Sequence, residues 1–366
     1  MPVHAYELHR DLFCGEVAGA HAELGVSGLA VNGRCLCHDA GGVERYTAEL
    51  VGQFTAAPRT LRPFRRPRGL AGHLWEQAQL PRLLRAGELL WSPANTGPLA
   101  VARQVVTIHD VSPLEHPEWF RPAFAAWYRY LFPRLARRAL YVLTTSEFSR
   151  RRIVELLRVD ARRVVAVANG VSDRFRPGAR GVSGDDTTRP YFLIVGSLQP
   201  RKNLATLLRA WTIGDFARRG FGLHVVGTTA PAFATTTMGP LPAGVRLLGR
   251  VPDAMLPTVY ADAFGLVLPS FYEGFGLPVL EAMASGVPVV CSNTSALPEV
   301  AGRAALLVDP LRADEMAAAM TRLVDEPALR DDLRRRGLAR AAEFTWGRAA
   351  TRIAAVLREA RAECFG

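Results

Sequence analysis

Short apolar runs alternate with stretches of helical periodicity along most of the chain. Runs of this length that end in turn residues predict strands buried on both faces of a sheet, and their alternation with helices predicts parallel sheets. Residues 43–54 and 348–363 have the amphipathic pattern of helices. The strands are predicted at 29–32, 89–92, 104–108, 139–144, 164–168, 191–195, 222–226, 245–248, 265–268, 287–291 and 305–308.

The alternation of strands and helices breaks once, in a stretch rich in Gly, Asp, Arg and Pro that predicts a linker at 173–190. With 366 residues, the chain is long enough for two cores. We therefore predict an α/β architecture of two Rossmann-like, doubly wound domains facing across a cleft, with ligands at the carboxyl ends of the strands. The predicted segments are an N-terminal extension at 1–27, a first domain at 28–172, a second domain at 191–345 and a C-terminal helix at 346–366 that packs back on the first domain.

The composition is that of a soluble globular protein, with 49% hydrophobic and 22% charged residues. The five cysteines are scattered and odd in number, which favours a reducing compartment over a disulfide framework. Because the N-terminus lacks a continuous apolar core and no stretch is apolar enough to span a membrane, we expect a cytoplasmic protein. The net charge of +11 is compatible with three kinds of partner: nucleic acid, an anionic lipid surface or phosphate-bearing substrates.

The segment 270–290 carries the strongest chemical signal. A predicted strand leads into the loop 273–276, Glu-Gly-Phe-Gly, and Pro278 starts a predicted helix with Glu281 in its first turn. Glycines and the free N–H groups of a helix start can accommodate a diphosphate, and Glu281 can accept hydrogen bonds from ribose hydroxyls. Glu273 can contact hydroxyls of a transferred sugar. The alternative is that Glu281 only caps a helix.

A second glycine loop follows the strand predicted at 191–195. It spans 196–203 and brings Arg201 and Lys202 to the carboxyl end of that strand. Two cations in this place would stabilise the negative charge that builds on a departing diphosphate. The alternative is that both side chains belong to a solvated helix start.

The two loops resemble those of a known family. Residues 273–281 resemble the E-x7-E signature of the large family 4 of retaining glycosyltransferases, which includes bacterial mannosyltransferases and sucrose synthases, and 196–203 resemble its G-x-x-x-x-R-K-N loop. The resemblance implies the GT-B fold. It further implies that Glu281 holds the donor ribose, that Arg201 and Lys202 bind phosphate, and that Glu273 and the amides of Phe275, Gly276 and Leu277 contact the donor sugar and diphosphate.

Three further strings extend the resemblance. His109, at the end of a predicted strand, resembles the family's histidine beside the donor sugar, although a hydrogen-bonded structural histidine is the alternative. Gly41 and Gly42 resemble the glycine loop that closes over the diphosphate, and a helix N-terminal turn explains them equally well. Val251 lies in a string that resembles the loop receiving the nucleobase.

The remaining expectations concern metals and membranes. The sequence contains no D-x-D triplet, so we expect protein cations to take the place of a metal and no cofactor to be required. Residues 119–138 mix aromatics with arginine and would suit a peripheral contact with the inner face of an anionic membrane. A core-facing aromatic helix with solvated arginines is the alternative.

The sequence therefore predicts a retaining glycosyltransferase, specifically a hexosyltransferase of polysaccharide biosynthesis. The expected donor is GDP-mannose first and a UDP-sugar second, and the expected acceptor is a glycan or a lipid-linked glycan. A sugar-nucleotide epimerase of the same fold and a non-catalytic sugar-nucleotide-binding protein are the alternatives. Nucleic acid is not an expected partner, because the arginines are spread over the whole length instead of forming one stripe.

Overall fold

The computed structural model describes residues 24–37, 41–64, 69–178, 189–229, 232–233 and 240–365. Most of the predicted N-terminal extension and residues 179–188 of the predicted linker lie outside these ranges. The described residues form two six-stranded sheets in which all neighbouring strands are parallel. This confirms the predicted α/β class.

The first sheet has the strand order β2-β1-β3-β4-β5-β6. Its chain runs outward from β1 to β2 and then returns to the other side of β1, so the order reverses between β1 and β3. Loops diverge at such a reversal and leave a crevice beyond the carboxyl ends of the strands. The strands are β1 (Leu29–Asn32), β2 (Arg59–Leu61), β3 (Leu89–Ser92), β4 (Gln104–Thr107), β5 (Tyr141–Thr144) and β6 (Val164–Ala166).

Helices lie between the consecutive strands of this sheet, except that β3 and β4 are joined by a loop. A π-helical turn, Trp75–Gln79, joins α2 to α3, and short 3₁₀ turns lie at Cys35–Cys37, Pro117–Trp119 and Ala161–Arg163. The helices are α1 (Gly42–Gln53), α2 (Leu70–Leu74), α3 (Leu80–Leu83), α4 (Ser112–Glu115), α5 (Pro122–Arg138) and α6 (Glu147–Leu157).

The second sheet repeats the plan with the order β12-β11-β10-β7-β8-β9, and its reversal falls between β7 and β10. Its strands are β7 (Tyr191–Val195), β8 (Gly222–Val226), β9 (Val245–Gly249), β10 (Gly265–Leu268), β11 (Val289–Ser292) and β12 (Leu306–Val308). Its helices, with the last helix of the chain, are α7 (Leu204–Ile213), α8 (Leu256–Ala261), α9 (Leu277–Ala284), α10 (Leu297–Ala301), α11 (Ala313–Asp325), α12 (Pro327–Ala341) and α13 (Trp346–Phe365).

The chain divides into two compact units whose boundaries do not follow chain order. Ser112–Tyr128 groups with Val171–Phe344 in the second unit, although the predicted first domain ran unbroken from 28 to 172. The Tyr272 hydroxyl donates to Glu115 at 2.7 Å and the Trp119 ring stacks on Phe271, which explains that grouping. The first unit combines the described parts of Met1–Val111 with Arg129–Gly170 and Thr345–Gly366, and so includes α13.

Each sheet is buried by apolar side chains on both faces, as parallel sheets require. In the first unit, Trp75 and Leu80 pack with Ala30 and Leu90. In the second unit, the aromatic rings of Phe192, Trp211 and Phe216 form the centre of a larger core. Every predicted strand overlaps an observed one, and β2 is the strand that the sequence analysis missed among the described residues.

Candidate active site

The loops that follow β7 and β10 meet at the reversal point of the second sheet. After β7 comes a 3₁₀ turn, Pro200–Lys202, and after β10 the chain leads through Ser270 to Glu273. The N–H of Phe271 donates to the carbonyl of Arg201 at 2.8 Å, which fastens one loop to the other. Residues 71 positions apart in the sequence are thereby brought into one cluster.

The Glu273 carboxylate lies between two cations. Its Oε1 accepts from the Lys202 ammonium at 2.5 Å and from the Ser270 hydroxyl at 2.7 Å. Its Oε2 accepts from the Arg201 guanidinium at 3.2 Å. Lys202 and Glu273 are both buried, so the charges interact strongly. Three of the predicted site residues, Arg201, Lys202 and Glu273, therefore form one ionic cluster.

The environment of Glu273 keeps it ionised. Burial acts to raise the pKa of this carboxyl, but the charges of Lys202 and Arg201, with the hydrogen bonds from Lys202 and Ser270, outweigh it and hold the pKa below its ordinary value. The structure surrounds Glu273 with cations and a hydroxyl, which stabilise the anion and lower its basicity.

Lys202 is the only lysine in a sequence that uses arginine everywhere else for basic side chains. An ammonium is a compact point charge with three donors on a flexible stem, whereas a guanidinium is planar and larger. The stem of Lys202 lies against Gly196, where an added Cβ would come within 2.8 Å of Lys202 Cε. Gly196 has φ +150°, a conformation that suits glycine. The site is therefore shaped around a lysine at this position.

Close backbone packing sets the position of the Gly196 turn. The N–H of Gly196 donates to Val226, the last residue of β8, and the next residue, Gly227, has φ +138°. A Cβ added to Gly227 would lie 1.9 Å from the carbonyl oxygen of Gly196. Asn203, which follows Lys202 in the chain, has φ +55°, and its side-chain amide donates to the carbonyls of Pro269 and Pro310. Glycine and asparagine at these positions permit the turn.

The helix that follows the Glu273 loop begins one residue earlier than predicted. Gly276 precedes it with φ +117°, Leu277 is its first residue and Pro278 its second. Glu281 is then the fifth residue and lies beyond the first turn, which corrects the prediction of a first-turn glutamate. It is buried, and its Oε2 accepts from the Tyr260 hydroxyl at 2.8 Å. Glu281 is thus held by a side chain of α8.

The remaining predicted contacts of the second unit lie in this loop and after β9. Phe275 is buried with its ring 6.1 Å from that of Phe344, so the phenyl group anchors the loop and the amides of Phe275, Gly276 and Leu277 lie at the start of α9. Val251 follows the end of β9, at the same carboxyl edge of the sheet. Because β7, β8 and β9 are parallel, the loops that follow them lie at the same carboxyl edge of the second sheet.

His109 belongs to the first unit and follows β4. Its backbone N–H donates to Asn95 Oδ1 at 2.7 Å, and its ring Nε2 lies 2.9 Å from the carbonyl oxygen of Pro93. Because a carbonyl only accepts, Nε2 carries the proton and Nδ1 carries the lone pair of the neutral ring. Burial lowers the pKa of His109, against the Pro93 hydrogen bond and the Asp110 charge, which raise it. His109 is therefore a neutral, oriented imidazole.

Gly41 and Gly42 lie at the start of α1. Gly41 precedes the helix and Gly42 is its first residue, and the Gly41 N–H donates to Glu44 Oε2 at 3.0 Å. The local geometry is thus that of the helix N-terminal turn, the alternative weighed from the sequence. A role for these glycines at a diphosphate stays a prediction.

Of the seven aromatic residues of 119–138, three are buried, three are half-buried and one is exposed. Phe120, Tyr128 and Phe132 are buried, and Phe120 pairs with Phe233 as an isolated antiparallel bridge. Tyr130 is exposed, with the Arg134 guanidinium 3.9 Å from its ring centre. This favours the core-facing helix with solvated arginines over an aromatic membrane face. Across the described ranges, no helix combines the length and the apolar character that crossing a bilayer demands.

Three side chains that the sequence analysis did not predict as site residues bind Glu273 or Glu281. Ser270 and Tyr260 bind the two glutamates, and Ser295, at φ +56°, accepts from the Glu273 N–H at 3.0 Å. Tyr260 lies in a helix that no sequence motif marked. Within the described part of the chain, no group of three or more His, Cys, Asp or Glu side chains is placed to hold a metal ion.

Comparison with known proteins defines the class to which this fold and site belong. A family model described as "Glycosyltransferase Family 4" matches residues 55–175, and one described as "Glycosyl transferases group 1" matches residues 189–326. The chain belongs to this family of glycosyltransferases, which confirms both the resemblance and the enzyme class predicted from the sequence.

Relatives and solved structures give more detail. The chain is 35% identical over 260 residues to the O-antigen chain mannosyltransferase B of Escherichia coli, covering 68% of each protein. It is 31% identical over 291 residues to the MMP alpha-(1->4)-mannosyltransferase of Mycolicibacterium hassiacum, covering 73% of this chain and 68% of that one.

Among solved structures, the sucrose-phosphate synthase of Thermosynechococcus elongatus has a TM-score of 0.72 at 20% identity, covering 92% of this chain and 99% of that chain. The Anabaena protein HepE, solved in complex with UDP and glucose, has a TM-score of 0.69 at 16% identity, covering 90% of this chain and 99% of the other. These similarities establish the GT-B fold class.

Proposed function

We propose that this glycosyltransferase moves mannose from GDP-mannose, with retention of configuration, to a glycan or lipid-linked acceptor in polysaccharide biosynthesis. The mannose assignment is supported by the relatives, since those from Escherichia coli, Salmonella typhimurium and Mycolicibacterium hassiacum are named mannosyltransferases. A UDP-sugar is the second candidate donor, and a solved neighbour binds UDP and glucose.

The observation that carries the proposal is the convergence of Arg201, Lys202 and Glu273 at the reversal point of the second sheet, next to the start of α9. A diphosphate there would meet two cations and the partial positive charge of a helix N-terminus. These groups are in place before any ligand arrives, so stabilising the departing diphosphate requires little reorganisation.

The roles of the side chains follow from their contacts. The Lys202 ammonium has three donors, so it can hold Glu273 with one and a phosphate oxygen with another. Glu273 fixes both cations and presents its carboxylate beside the donor sugar. Glu281, oriented by Tyr260, accepts from the ribose hydroxyls. His109 supplies a neutral imidazole from the first unit, as the resemblance implies.

The proposed reaction proceeds on one face of the sugar. The bond between the anomeric carbon and the β-phosphate oxygen breaks, an oxocarbenium-like centre forms, and the acceptor oxygen bonds to the face that the diphosphate leaves. The acceptor proton passes to the departing phosphate oxygen. With Arg201 and Lys202 balancing the charge, we propose that no metal is required.

Nucleotide release tests the assignment and separates it from the alternatives. Purified enzyme is incubated with GDP-mannose, UDP-glucose or GDP-glucose, with and without a mannose-terminated lipid-linked oligosaccharide, and with or without EDTA. We expect GDP release that depends on the acceptor and on GDP-mannose and is unchanged by EDTA. A converted sugar nucleotide without nucleotide release would identify an epimerase, and binding without either reaction would identify a sensor.

The single lysine provides an independent measurement of where the diphosphate binds. Reductive methylation modifies side-chain amines, and Lys202 carries the only one in the chain. We expect GDP to protect Lys202 more than mannose does, as measured by mass spectrometry of the corresponding peptide. Equal methylation with and without GDP would place the nucleotide elsewhere.

A peripheral membrane contact is proposed for a different surface from the one suggested by the sequence. Leu70 and Leu74 are one helical turn apart and both exposed, and in the same stretch of sequence the described arginines Arg62, Arg82 and Arg85 are exposed. An apolar, basic surface of this kind fits an anionic bilayer. Flotation with phosphatidylglycerol vesicles should be lost in Leu70→Gln/Leu74→Gln and kept in the control Leu311→Gln, whose exposed leucine lies in the second unit.

A further inference from the structure

The loop between β3 and β4 determines how His109 is held. Pro93 accepts from the ring and Asn95 accepts from the backbone N–H of His109. Asn95 itself has φ +62° and its N–H donates to Thr107, the last residue of β4, at 2.9 Å. Any shift of residues 93–99 would therefore change the orientation of the imidazole and release the tautomer that the Pro93 carbonyl selects.

This loop is held from outside by the π-helical turn Trp75–Gln79. The Gln77 side chain binds it twice: Nε2 donates to the carbonyl of Gly97 at 2.9 Å, and Oε1 accepts from the N–H of Leu99 at 2.9 Å. One amide thus satisfies the two backbone groups that flank Pro98, as a neighbouring strand would. Turns of this π-helical kind are rare and occur disproportionately at functional sites.

Glu76, the preceding residue, binds the same loop at a second point. Its Oε1 accepts from Thr96 Oγ1 at 2.8 Å and from the Asn32 amide at 2.6 Å, which ties the loop to the end of β1. Arg34 completes the cluster by donating to Thr96 Oγ1 at 2.9 Å, with its Nε 3.4 Å from Glu76 Oε1. Two consecutive side chains of one turn, Glu76 and Gln77, therefore bind three positions of the loop, 96, 97 and 99.

Glu76 holds this arrangement as an anion although it is completely buried. Burial acts to raise the pKa of its carboxyl, but the His73 ring, whose Nδ1 lies 3.8 Å from Oε2, the charge of Arg34 and the hydrogen bonds from Asn32 and Thr96 hold the pKa below its ordinary value. A charge is costly to bury unless it is bound in this way. Since the cluster lies at the reversal point of the first sheet, its position is that of a ligand crevice and not only of a core.

We propose that Gln77, supported by Glu76, is a positioning residue for His109 and acts through the loop 93–99. The inference rests on the proposed function in so far as His109 serves the reaction, but the geometry that it concerns can be measured separately. The substitution of choice is Gln77→Leu, which keeps the size of the side chain and removes both hydrogen bonds to the loop. The matched control is Gln79→Leu, because Gln79 is an exposed amide in the same turn.

Two measurements test the proposal on the full-length enzyme. The first is the ring ¹⁵N signature of His109 in histidine-labelled protein, assigned with His109→Ala, which reports the tautomer. The second is kcat with the donor KM. We expect Gln77→Leu to lose the uniform Nε2–H signature and to lower kcat about tenfold at an unchanged donor KM, because small misplacements of a reacting group have effects of this order. Gln79→Leu should match the wild type in both measurements.

The outcomes separate the two hypotheses. A wild-type ring signature in Gln77→Leu would overturn the positioning proposal, whatever happens to kcat. A changed signature with unchanged kcat would support positioning and count against the role of His109 in the proposed function. If Gln77→Leu does not fold, Thr96→Val removes the hydroxyl that joins the loop to Glu76 and is judged by the same two measurements.

Discussion

The two sheets share a strand plan and each has a buried glutamate at its carboxyl edge, but the two glutamates are neutralised differently. Glu273 is held by two cations and a hydroxyl, within a cluster that comes from two adjoining loops. Glu76, in a π-helical turn, is held by neutral donors from the end of β1 and from the loop after β3, with one guanidinium at 3.4 Å. In the proposed function, the second edge meets the negative charge of a diphosphate, whereas the first edge orients a neutral ring.

The difference has a consequence for substitutions. At the second edge the charge balance itself carries the proposed chemistry, so a change of charge should abolish turnover. At the first edge the side chains act on geometry, so isosteric changes should reduce turnover by smaller factors. The following predictions test that contrast.

Removing the Lys202 charge should have the largest effect. We expect Lys202→Met to lower kcat about 10³-fold, since loss of one charge-stabilising group costs a factor of 10² to 10³ or more. It also leaves Glu273 buried with one cation fewer, which should cost about 3 kcal/mol in the free energy of unfolding. Steady-state kinetics and urea denaturation measure the two effects.

The double variant Lys202→Met/Glu273→Gln separates the effect on turnover from the effect on stability. It should recover most of the lost stability, because the uncompensated carboxylate is gone, and recover none of the turnover. A double variant with restored turnover would show that Lys202 serves only to balance Glu273. Lys202→Arg keeps the charge but not the shape, and should stay at least about tenfold below the wild type.

Replacing one tightly packed glycine at each edge by alanine should lower the free energy of unfolding by different amounts. Gly227→Ala would bring a Cβ to 1.9 Å from the Gly196 carbonyl oxygen at a φ of +138°, so the backbone itself must move. Gly97→Ala would bring a Cβ to 2.8 Å from Gln104 Oε1 and 3.0 Å from Ser92 Oγ, so that side chains and not the backbone are crowded. We expect losses of about 3 kcal/mol and about 1 kcal/mol in the free energy of unfolding. Equal losses in urea denaturation would mean that the Gly196 turn yields as easily as a side chain.

His109→Ala should lower kcat by less than the Lys202 substitution, about 30-fold, because a neutral imidazole contributes position and polarity without charge. The donor KM should change little. A loss as large as that of Lys202→Met would remove the contrast between a charged and a neutral edge, and an unchanged kcat would exclude His109 from the reaction.

The smallest expected effect concerns acid stability. The pKa of Glu273 lies below its ordinary value of 4.5 in the folded protein, so the unfolded chain binds this proton at a higher pH than the folded one. The stabilisation is then complete above pH 4.5 and is lost as the pH falls through the lower folded pKa. Urea denaturation between pH 3 and 6 should show a steeper acid loss for the wild type than for Glu273→Gln. Parallel curves would contradict the pKa shift.

The sequence predicted the sheets well because parallel strands buried on both faces are continuous apolar runs. It missed β2, since Arg59–Leu61 is a three-residue edge strand whose only buried residue is Leu61. The Glu273 loop was found because glycine, proline and glutamate at fixed spacing have a local meaning. The pairing of Glu273 with Lys202 depends on which strands are neighbours, which no local pattern contains.

The cluster around Gln77 could not be predicted for the same reason. Asn32, Glu76 and Thr96 are widely separated, and a glutamate in an amphipathic helical stretch predicts a solvated position, not a buried one. Glu76 is buried because of tertiary packing: α2 and the π-helical turn bring it against the ends of β1 and β3. Glu281 was displaced from the predicted first turn by a single residue, since the helix starts at Leu277 and not at Pro278.

The last helix, α13, has a consequence for synthesis and for fragment design. Its buried residues, among them Trp346, Ile353 and Leu357, complete the first unit, and Glu363 accepts from the Tyr141 hydroxyl of β5. The ribosome therefore synthesises β1–β6 long before the helix that covers them. The second unit, which ends at Phe344, is synthesised completely before the first unit is. A fragment cut after Gly170 would expose the apolar face that α13 covers. Joining residues 345–366 to it through a short linker would restore the missing helix.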